Sequence, residues 1–132
     1  MTVSHCLKNG VWLKACAAAL LLTSLACVAQ EYPSRPIRLV VPQPPGGGTD
    51  ILGRNLAQKL GELLRQPVVV ENRAGAGSIV GTEHVARSTA DGYTLLVGGI
   101  NNMVMNKALI KNLSYDPLRD FIPLGFTSAY PF

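Results

Sequence analysis

The chain has 132 residues, of which 48% are hydrophobic and 15% are charged, and its formal net charge at pH 7 is +4. Two of its twelve basic residues, Lys8 and Lys14, lie near the amino terminus, which leaves ten against eight acidic residues and a net charge of +2 beyond them. No run of basic residues stands out, so the composition gives no support to nucleic-acid binding.

The first residues are predicted to be an export signal. Lys8 and Lys14 precede an apolar run from Ala15 to Leu22, and small residues follow it, which is the order of a secretory signal peptide. The run is too short for a membrane anchor, because a spanning helix needs about 20 mainly apolar residues. We expect cleavage after Ala29, so that residues 1–29 are removed and residues 30–132 form the exported protein.

Lipid attachment is the alternative way in which this segment is processed. Cys27 is the candidate acceptor, but Ser24 stands where such sites prefer an aliphatic residue. All three cysteines, Cys6, Cys16 and Cys27, lie within the predicted signal, so the exported part has no thiol for a disulfide although it enters an oxidising compartment. Its stability is therefore expected to come from packing.

The first predicted unit is a strand, a glycine loop and a helix. Ile37 to Val41 is a nearly continuous apolar run, and the turn-rich segment that includes Pro44 to Gly48 follows it. Leucines then recur at helical spacing from Thr49 to Arg65, with Thr49 as a candidate cap and Asp50 placed to pair with Arg54 on the outer face. The Gln66-Pro67 step ends this helix.

The same order is predicted to recur twice. Val68 to Val70 form a strand, a loop runs through Asn72 to Gly77, and Ser78 can cap a helix that reaches Arg87. Tyr93 to Val97 form a third strand, and Gly98 to Asn102 lead into a weaker helix over Met103 to Ile110. A further strand is predicted over Phe121 to Ser128, with its partner strands beyond the end of the chain.

Alternating strands and helices predict an α/β fold with a mainly parallel sheet and helices on both faces. The loops that leave the strands then gather along one edge of the sheet, where ligands bind in such folds. Gly46, Gly47 and Gly48 would expose unpaired backbone amides at a helix start, and Gly75 to Ser78 repeat the arrangement. One glycine would satisfy a tight turn, so three in succession favour the approach of an anionic ligand such as a carboxylate.

The two glycine loops match known phosphate-binding motifs poorly. The first loop offers Thr49 and Asp50 where a nucleotide-binding loop needs lysine and then serine or threonine. In the second, Val80 takes the place of the third glycine of a dinucleotide-binding fingerprint, and the next strand ends without a ribose-holding acid. We therefore expect neither ATP, GTP nor NAD, and no cofactor.

Asp50 has two interpretations. It can stabilise the first turn of its helix by pairing with Arg54, or it can contact a ligand, in which case an amino acid could direct its ammonium group toward Asp50. Simple dicarboxylates would instead be held by loop amides and waters. Both interpretations stay open at this point.

Catalytic and metal-binding residues are not evident in the sequence. His84 is the only histidine of the predicted exported part and stands beside Glu83, where a solvated surface position is the simplest interpretation. Without cysteine and with scattered acids, the segment cannot build a usual zinc site, and no Ser-His-Asp triad is visible. We predict no catalytic residue and no metal site.

Several motifs in a fixed order resemble the Bug (Bordetella uptake gene) receptors, the periplasmic solute-binding components of tripartite tricarboxylate transporters. The resemblance covers residues 32–132. It rests on five stretches: Tyr32-Pro33 through Arg38, Pro44-Pro45-Gly46-Gly47-Gly48-Thr49-Asp50, Val70 through Gly77, Asp91-Gly92-Tyr93-Thr94-Leu95, and Tyr115-Asp116-Pro117 with Asp120-Phe121.

The resemblance implies a two-lobed, type II periplasmic-binding-protein fold that closes over its ligand, with the second lobe missing here. About 100 exported residues suffice for one small domain, whereas a complete two-lobed receptor needs roughly 250 to 300. It also implies that the ligand is a small organic acid or amino acid, held by the two glycine loops, with the loop over Gly99 to Asn101 as a third candidate contributor. The implied ligand-binding residues are Pro45, Gly46, Gly47, Gly48, Thr49, Asp50, Gly75, Ala76, Gly77, Ser78 and Asn101.

Three functions remain to be compared. A transport receptor would present its ligand to membrane transporter subunits, whereas a sensory protein of the same shape would signal to a sensor kinase. An α/β enzyme would need its catalytic residues in the missing half. Ser78 stands where members of the family commonly have glycine, which leaves the ligand preference open.

Overall fold

The structure is a computed structural model, and it describes residues 31–127. The predicted signal peptide, its cleavage site after Ala29, the alternative lipid site at Cys27, and Ser128 lie outside the described residues. All elements below belong to a compact unit that begins at Pro33. Among residues 31–127, no helix combines the length and the apolar character that crossing a membrane requires.

Three parallel strands form the sheet. They are β1 (Ile37–Val41), β2 (Val68–Asn72) and β3 (Thr94–Leu96), in the spatial order β2-β1-β3. β1 pairs with β2 from Ile37↔Val68 to Val41↔Asn72, and it pairs with β3 through Leu39↔Leu95 and its two neighbours. The three strands predicted from Ile37, Val68 and Tyr93 are confirmed with small differences at their ends. β2 runs two residues further than the valines, because Glu71 and Asn72 continue the pairing with β1, and β3 is one residue shorter at each end than predicted.

Helices cover both faces of the central strand. The helix α1 (Gly48–Leu64) contacts β1 and β2, and its Ala57 packs in the core cluster with Leu39 and Val41. Val40 points to the opposite face because side chains alternate along a strand, and it is fully buried. The helix α2 (Ile79–Ala86) contacts β1 and β3 and accounts for this burial. The predicted α/β fold with a parallel sheet is therefore confirmed.

Helix α1 starts and ends differently in detail from its prediction. Gly47 occupies the N-cap position with no side-chain cap, so the prediction that Thr49 caps the helix was wrong. The helix already begins at Gly48, which places the side chain of Thr49 inside the first turn. At the other end, Arg65 takes a left-handed conformation with φ of 53° and stops the helix just before the Gln66-Pro67 step.

The second crossover contains a tight turn before its helix. Residues Ala76–Ser78 form a single 3₁₀ turn, and α2 follows directly. Ser78 occupies the N-cap position but its side chain makes no capping hydrogen bond, so the predicted serine cap was wrong. The left-handed backbone of Ser78, with φ of 74°, departs from the extended conformation that a capping side chain needs.

The last part of the chain is less regular than predicted. Asn101–Met105 form a π-helical turn that continues into the short helix α3 (Asn106–Leu109), so the helix starts before Met103. Residues 121–127 form no strand, contrary to the prediction for Phe121 to Ser128. Ile122, Leu124 and Phe126 are exposed there, because the described residues offer no neighbouring strand with which they could pair.

Candidate functional site

Three loops leave the sheet at the same edge. Because β1, β2 and β3 are parallel, the loops after Val41, Asn72 and Leu96 all start at the carboxyl ends of the strands. Val41 and Asn72 are directly paired, so the two glycine loops begin side by side. The topology thus brings both predicted loops to the edge at which α/β folds bind ligands.

The first loop, residues 42–48, is open to solvent where its glycines lie. Pro45, Gly46, Gly47 and Gly48 are exposed, and Thr49 is half-buried. A Cβ atom placed at Gly46 or Gly48 would meet nothing within 4 Å, so packing within the described chain does not demand glycine at either position. Gly46 needs glycine for its φ of 86°, whereas Gly48 has no such conformational need.

Backbone amides at the start of α1 are only partly free. The Gly46 amide donates a hydrogen bond of 2.9 Å to the Asp50 carboxylate, so it is already occupied by the chain. The amides of Gly48 and Thr49 have no acceptor among residues 31–127, as expected for the first turn of a helix. The amides of Gly48 and Thr49 therefore stay available to an anion.

Asp50 is buried beneath this loop rather than on the outer face of the helix. Its residue is 3% exposed. Its Oδ2 accepts hydrogen bonds from Gly46 and from Arg54 Nε, at 2.9 and 3.0 Å. The expected pair with Arg54 is present, but the expected position outside was wrong, because the carboxylate also serves the loop amide. The Arg54 hydrogen bond, with those from Gly46 and Asn72, lowers the pKa of Asp50 from 3.8 to about 2.

Asn72 joins the first loop to the end of β2. Its Nδ2 donates to Asp50 Oδ1 at 2.8 Å and to the carbonyl oxygen of Gln43 at 3.1 Å. Its Oδ1 accepts a hydrogen bond of 3.2 Å from Arg54. Asn72 was expected only to begin the second loop. Its position one strand away in space, against a buried acid, could not be seen without the register of β1 and β2.

The second loop, residues 73–78, has an unusual backbone. Ala76, Gly77 and Ser78 all have positive φ, at 45°, 63° and 74°, directly after Gly75 at 145°. The amides of Gly75, Ala76 and Gly77 have no acceptor within the described part of the chain. These three residues are exposed, whereas Ser78 is buried. The second loop therefore offers a further group of unpaired amides.

Gly81 brings the starts of the two loops together. A Cβ at this position of α2 would lie 2.6 Å from the carbonyl oxygen of Arg73 and 2.9 Å from the Cα of Pro42. Real Cβ atoms do not approach backbone atoms so closely, so only glycine lets α2 pack against both the Pro42 and the Arg73 segments. Close packing of α2 against the starts of both loops therefore accounts for Gly81.

The third loop, after β3, offers fewer unpaired polar groups to a ligand than the other two loops. Asn101 is exposed and its side chain makes no hydrogen bond within residues 31–127, whereas its neighbour Asn102 is 2% exposed. The Gly99 amide donates to Asn102 Oδ1 at 2.8 Å, so it is occupied. The burial of Asn102 was not predicted, because its sequence neighbours carry no pattern that marks an asparagine as buried.

Other polar groups do not form a second chemical site. Among residues 31–127, no group of three or more His, Cys, Asp or Glu side chains lies close enough to hold a metal. His84 was expected to be solvated, but its Nε2 is buried and has no hydrogen-bond partner in the described chain. A surface cavity of about 290 Å³ lies at the amino ends of β1 and β3, lined by Arg38 and Tyr93 among others, and it includes no residue of the glycine loops.

The parallel α/β unit, with glycine loops at the carboxyl edge of its sheet, has the architecture of a lobe of the periplasmic-binding-protein type. Comparison with solved structures agrees with this class. The structure of the periplasmic binding protein BugD superposes with a TM-score of 0.68 and 42% sequence identity, over 71% of this chain and 31% of that one. The structure of MatC from Rhodopseudomonas palustris with bound malate gives a TM-score of 0.67 and 37% identity, over 70% of this chain and 31% of MatC.

Residues 52–132 match the family described as tripartite tricarboxylate transporter family receptor. The protein BugT of Bordetella pertussis is 45% identical over 104 residues, which are 78% of this chain and 32% of BugT. The chain belongs to the tripartite tricarboxylate transporter receptor family, and the resemblance to Bug receptors is confirmed. The chain spans about a third of the length of these relatives. The family consists of periplasmic solute-binding proteins rather than enzymes, as the sequence predicted.

Proposed function

We propose that residues 30–132 are the first part of the first lobe of a periplasmic receptor, exported by a cleaved signal peptide. The receptor binds a small carboxylate at the glycine loops and delivers it to the membrane subunits of a tripartite tricarboxylate transporter. Membership of the receptor family supports the transport role over the sensory one.

Five unpaired backbone amides are the observation that carries this proposal. They belong to Gly48 and Thr49 in the first loop and to Gly75, Ala76 and Gly77 in the second. Both loops follow strands that pair with each other, so the amides lie at one edge of the sheet. Amides at a helix start attract negative charge, because they are donors without partners and the helix dipole adds a partial positive charge.

The ligand class follows from the partners of Asp50. Three donors of the chain, from Gly46, Arg54 and Asn72, already engage both oxygens of this carboxylate. Asp50 therefore supports the first loop and does not need an ammonium group from the ligand. This favours a simple dicarboxylate over an amino acid, and the malate in the similar MatC structure is a ligand of that class.

The proposal is tested on the purified full-length, two-lobed receptor, by calorimetric titration and by thermal unfolding with malate, adipate, aspartate or a neutral alcohol of similar size. We expect at least one dicarboxylate to bind and to raise the thermal midpoint, since a ligand that binds only the folded state stabilises it. The neutral alcohol should leave the midpoint unchanged. If no carboxylate in the panel binds, a carboxylate site at these loops is wrong.

A further inference from the structure

We propose that a network of three buried residues, Thr82, Asn102 and Tyr115, together with the half-buried Asn106, positions the second and third loops for the ligand. This inference rests on the proposed function and extends it to residues that touch no ligand. None of the four belongs to the predicted set of ligand-binding residues. They would act as positioning residues, through the backbone of the loops.

The backbone of the second loop requires support. Ala76 and Ser78 hold left-handed conformations, each of which costs roughly 1 to 2 kcal/mol for a residue with a Cβ. Gly77 between them is also left-handed, so three successive residues share this geometry. Such a conformation persists only when surrounding contacts determine it, and it is concentrated at functional sites.

Two side chains grip the carbonyl groups of this strained turn. Thr82 Oγ1 donates a hydrogen bond of 2.7 Å to the carbonyl oxygen of Ser78, one turn back along α2. Asn106 Nδ2 donates at 2.9 Å to the carbonyl oxygen of Gly77. These two carbonyls share peptide units with the amides of Ser78 and Ile79, so the hydrogen bonds fix the end of the turn that directly follows the amides of Gly75, Ala76 and Gly77.

The same side chains continue into the third loop. Asn102 Nδ2 donates to Thr82 Oγ1 at 3.0 Å, and Asn102 Oδ1 accepts from the amide of Gly99 at 2.8 Å. One asparagine thus connects the support of Ser78 with the support of Gly99. A shift in the second loop is thereby coupled to the third.

Tyr115 closes the network from the far end of the described chain. Its hydroxyl donates at 2.6 Å to the carbonyl oxygen of Asn102 and accepts at 3.2 Å from Asn106 Nδ2. Thr82, Asn102 and Tyr115 are 0%, 2% and 3% exposed, so water cannot readily replace a lost partner. Hydrogen bonds in such a buried network are mutually dependent, and a partial loss is costly.

The experiment compares Thr82→Val with Thr82→Ser, because valine keeps the shape and loses the hydroxyl while serine retains it. Ser88→Ala is the matched control. Ser88 lies just beyond the carboxyl end of α2, and its Oγ donates the same kind of hydrogen bond to the carbonyl oxygen four residues earlier, that of His84. Tyr115→Phe is the second test variant. Its control is Tyr93→Phe, whose hydroxyl bonds to Ser34 at the other edge of the sheet.

Amide hydrogen exchange gives a readout that needs no ligand. Thr82→Val and Tyr115→Phe should both speed the exchange of the Gly99 amide, although neither side chain touches it, and the two controls and Thr82→Ser should leave it near the wild-type rate. Unchanged Gly99 exchange in both test variants would overturn the network proposal, whatever the protein binds.

Malate titration supplies the functional arm. For a wild type that binds malate, Thr82→Val and Tyr115→Phe should raise the dissociation constant about tenfold, which is the scale of one lost hydrogen bond. Thr82→Ser and the two controls should stay close to the wild-type value. Equal malate affinity in all five variants would refute the positioning role, whereas a wild type that binds no carboxylate would refute the proposed function alone, because the exchange result still decides the network.

Discussion

Asn72 Nδ2 lies 2.8 Å from Asp50 Oδ1, and this hydrogen bond ties the start of helix α1 to the end of the neighbouring strand. The two residues are 22 positions apart in the chain and meet because Val41 pairs with Asn72. Asn72 also holds the Gln43 carbonyl group. The shape of the first glycine loop therefore depends on the strand that precedes the second one.

The Asp50→Asn substitution should lower the stability of the protein in a pH-dependent way. The folded pKa of Asp50 is about 2 and lies below its ordinary value of 3.8, so the charged form stabilises the fold above pH 3.8. That contribution is lost as the pH falls through the folded pKa. Urea denaturation should show a gap between wild type and variant that is full at pH 6 and narrows from pH 4 toward pH 2. A gap of constant size would contradict the expected titration.

The same variant distinguishes the two roles of Asp50 in binding. If Asp50 supports the loop, the substitution should lower the affinities for malate and for aspartate by similar factors, because both ligands bind through carboxylates to the same amides, which the substitution displaces. If Asp50 contacts an ammonium group, aspartate should lose far more affinity than malate. Calorimetry with the two ligands, on Asp50→Asn and on an Asn55→Ala control from the exposed side of α1, measures the difference.

The sequence predicted the order of strands and helices because hydrophobic periodicity and turn residues are local properties. The strands from Ile37 and Val68, and the helix that follows the first loop, needed no knowledge of the rest of the chain. The Arg54 partner of Asp50 follows from local helical spacing, whereas its Asn72 partner and the burial of Asn102 depend on contacts between distant residues, so no local pattern predicted them. The strand predicted from Phe121 failed for a related reason, since a strand exists only with a neighbour to pair with.

Gly48→Ala should separate stability from binding. The added methyl group meets no atom within 4 Å, and alanine is favoured over glycine in a helix by roughly 0.5 to 1 kcal/mol. The free energy of unfolding should therefore stay equal or rise, while malate affinity falls because the methyl group stands beside a proposed ligand amide. Gly125→Ala, also with open space around it, is the control for both measurements. Unchanged malate affinity in Gly48→Ala would place the ligand away from the first loop.

Gly81→Ala should destabilise the protein where the two loops meet. Its methyl group would approach the Arg73 carbonyl oxygen and the Pro42 Cα to 2.6 and 2.9 Å, and both are backbone atoms that cannot rotate away. Overpacking of this kind costs about 1 to 3 kcal/mol. Gly61→Ala is the matched control, because its nearest contact is a tolerable 3.4 Å and it also lies in a helix. Similar urea midpoints for both variants would show that α2 can move away from the loops at little cost.

Ser78→Gly should relieve strain in the second loop and show whether the strain serves binding. Ser78 has φ of 74°, and glycine adopts that conformation without a Cβ penalty, so the free energy of unfolding should rise by up to about 1 kcal/mol. Arg65→Gly is the control, because Arg65 is also left-handed, with φ of 53°, but lies at the far end of α1. Both variants should gain stability in urea denaturation. Only Ser78→Gly should change malate affinity, because it frees the turn that carries the amides of Ala76 and Gly77. If both variants bind malate as the wild type does, the conformation of Ser78 is a feature of the fold and not of the site.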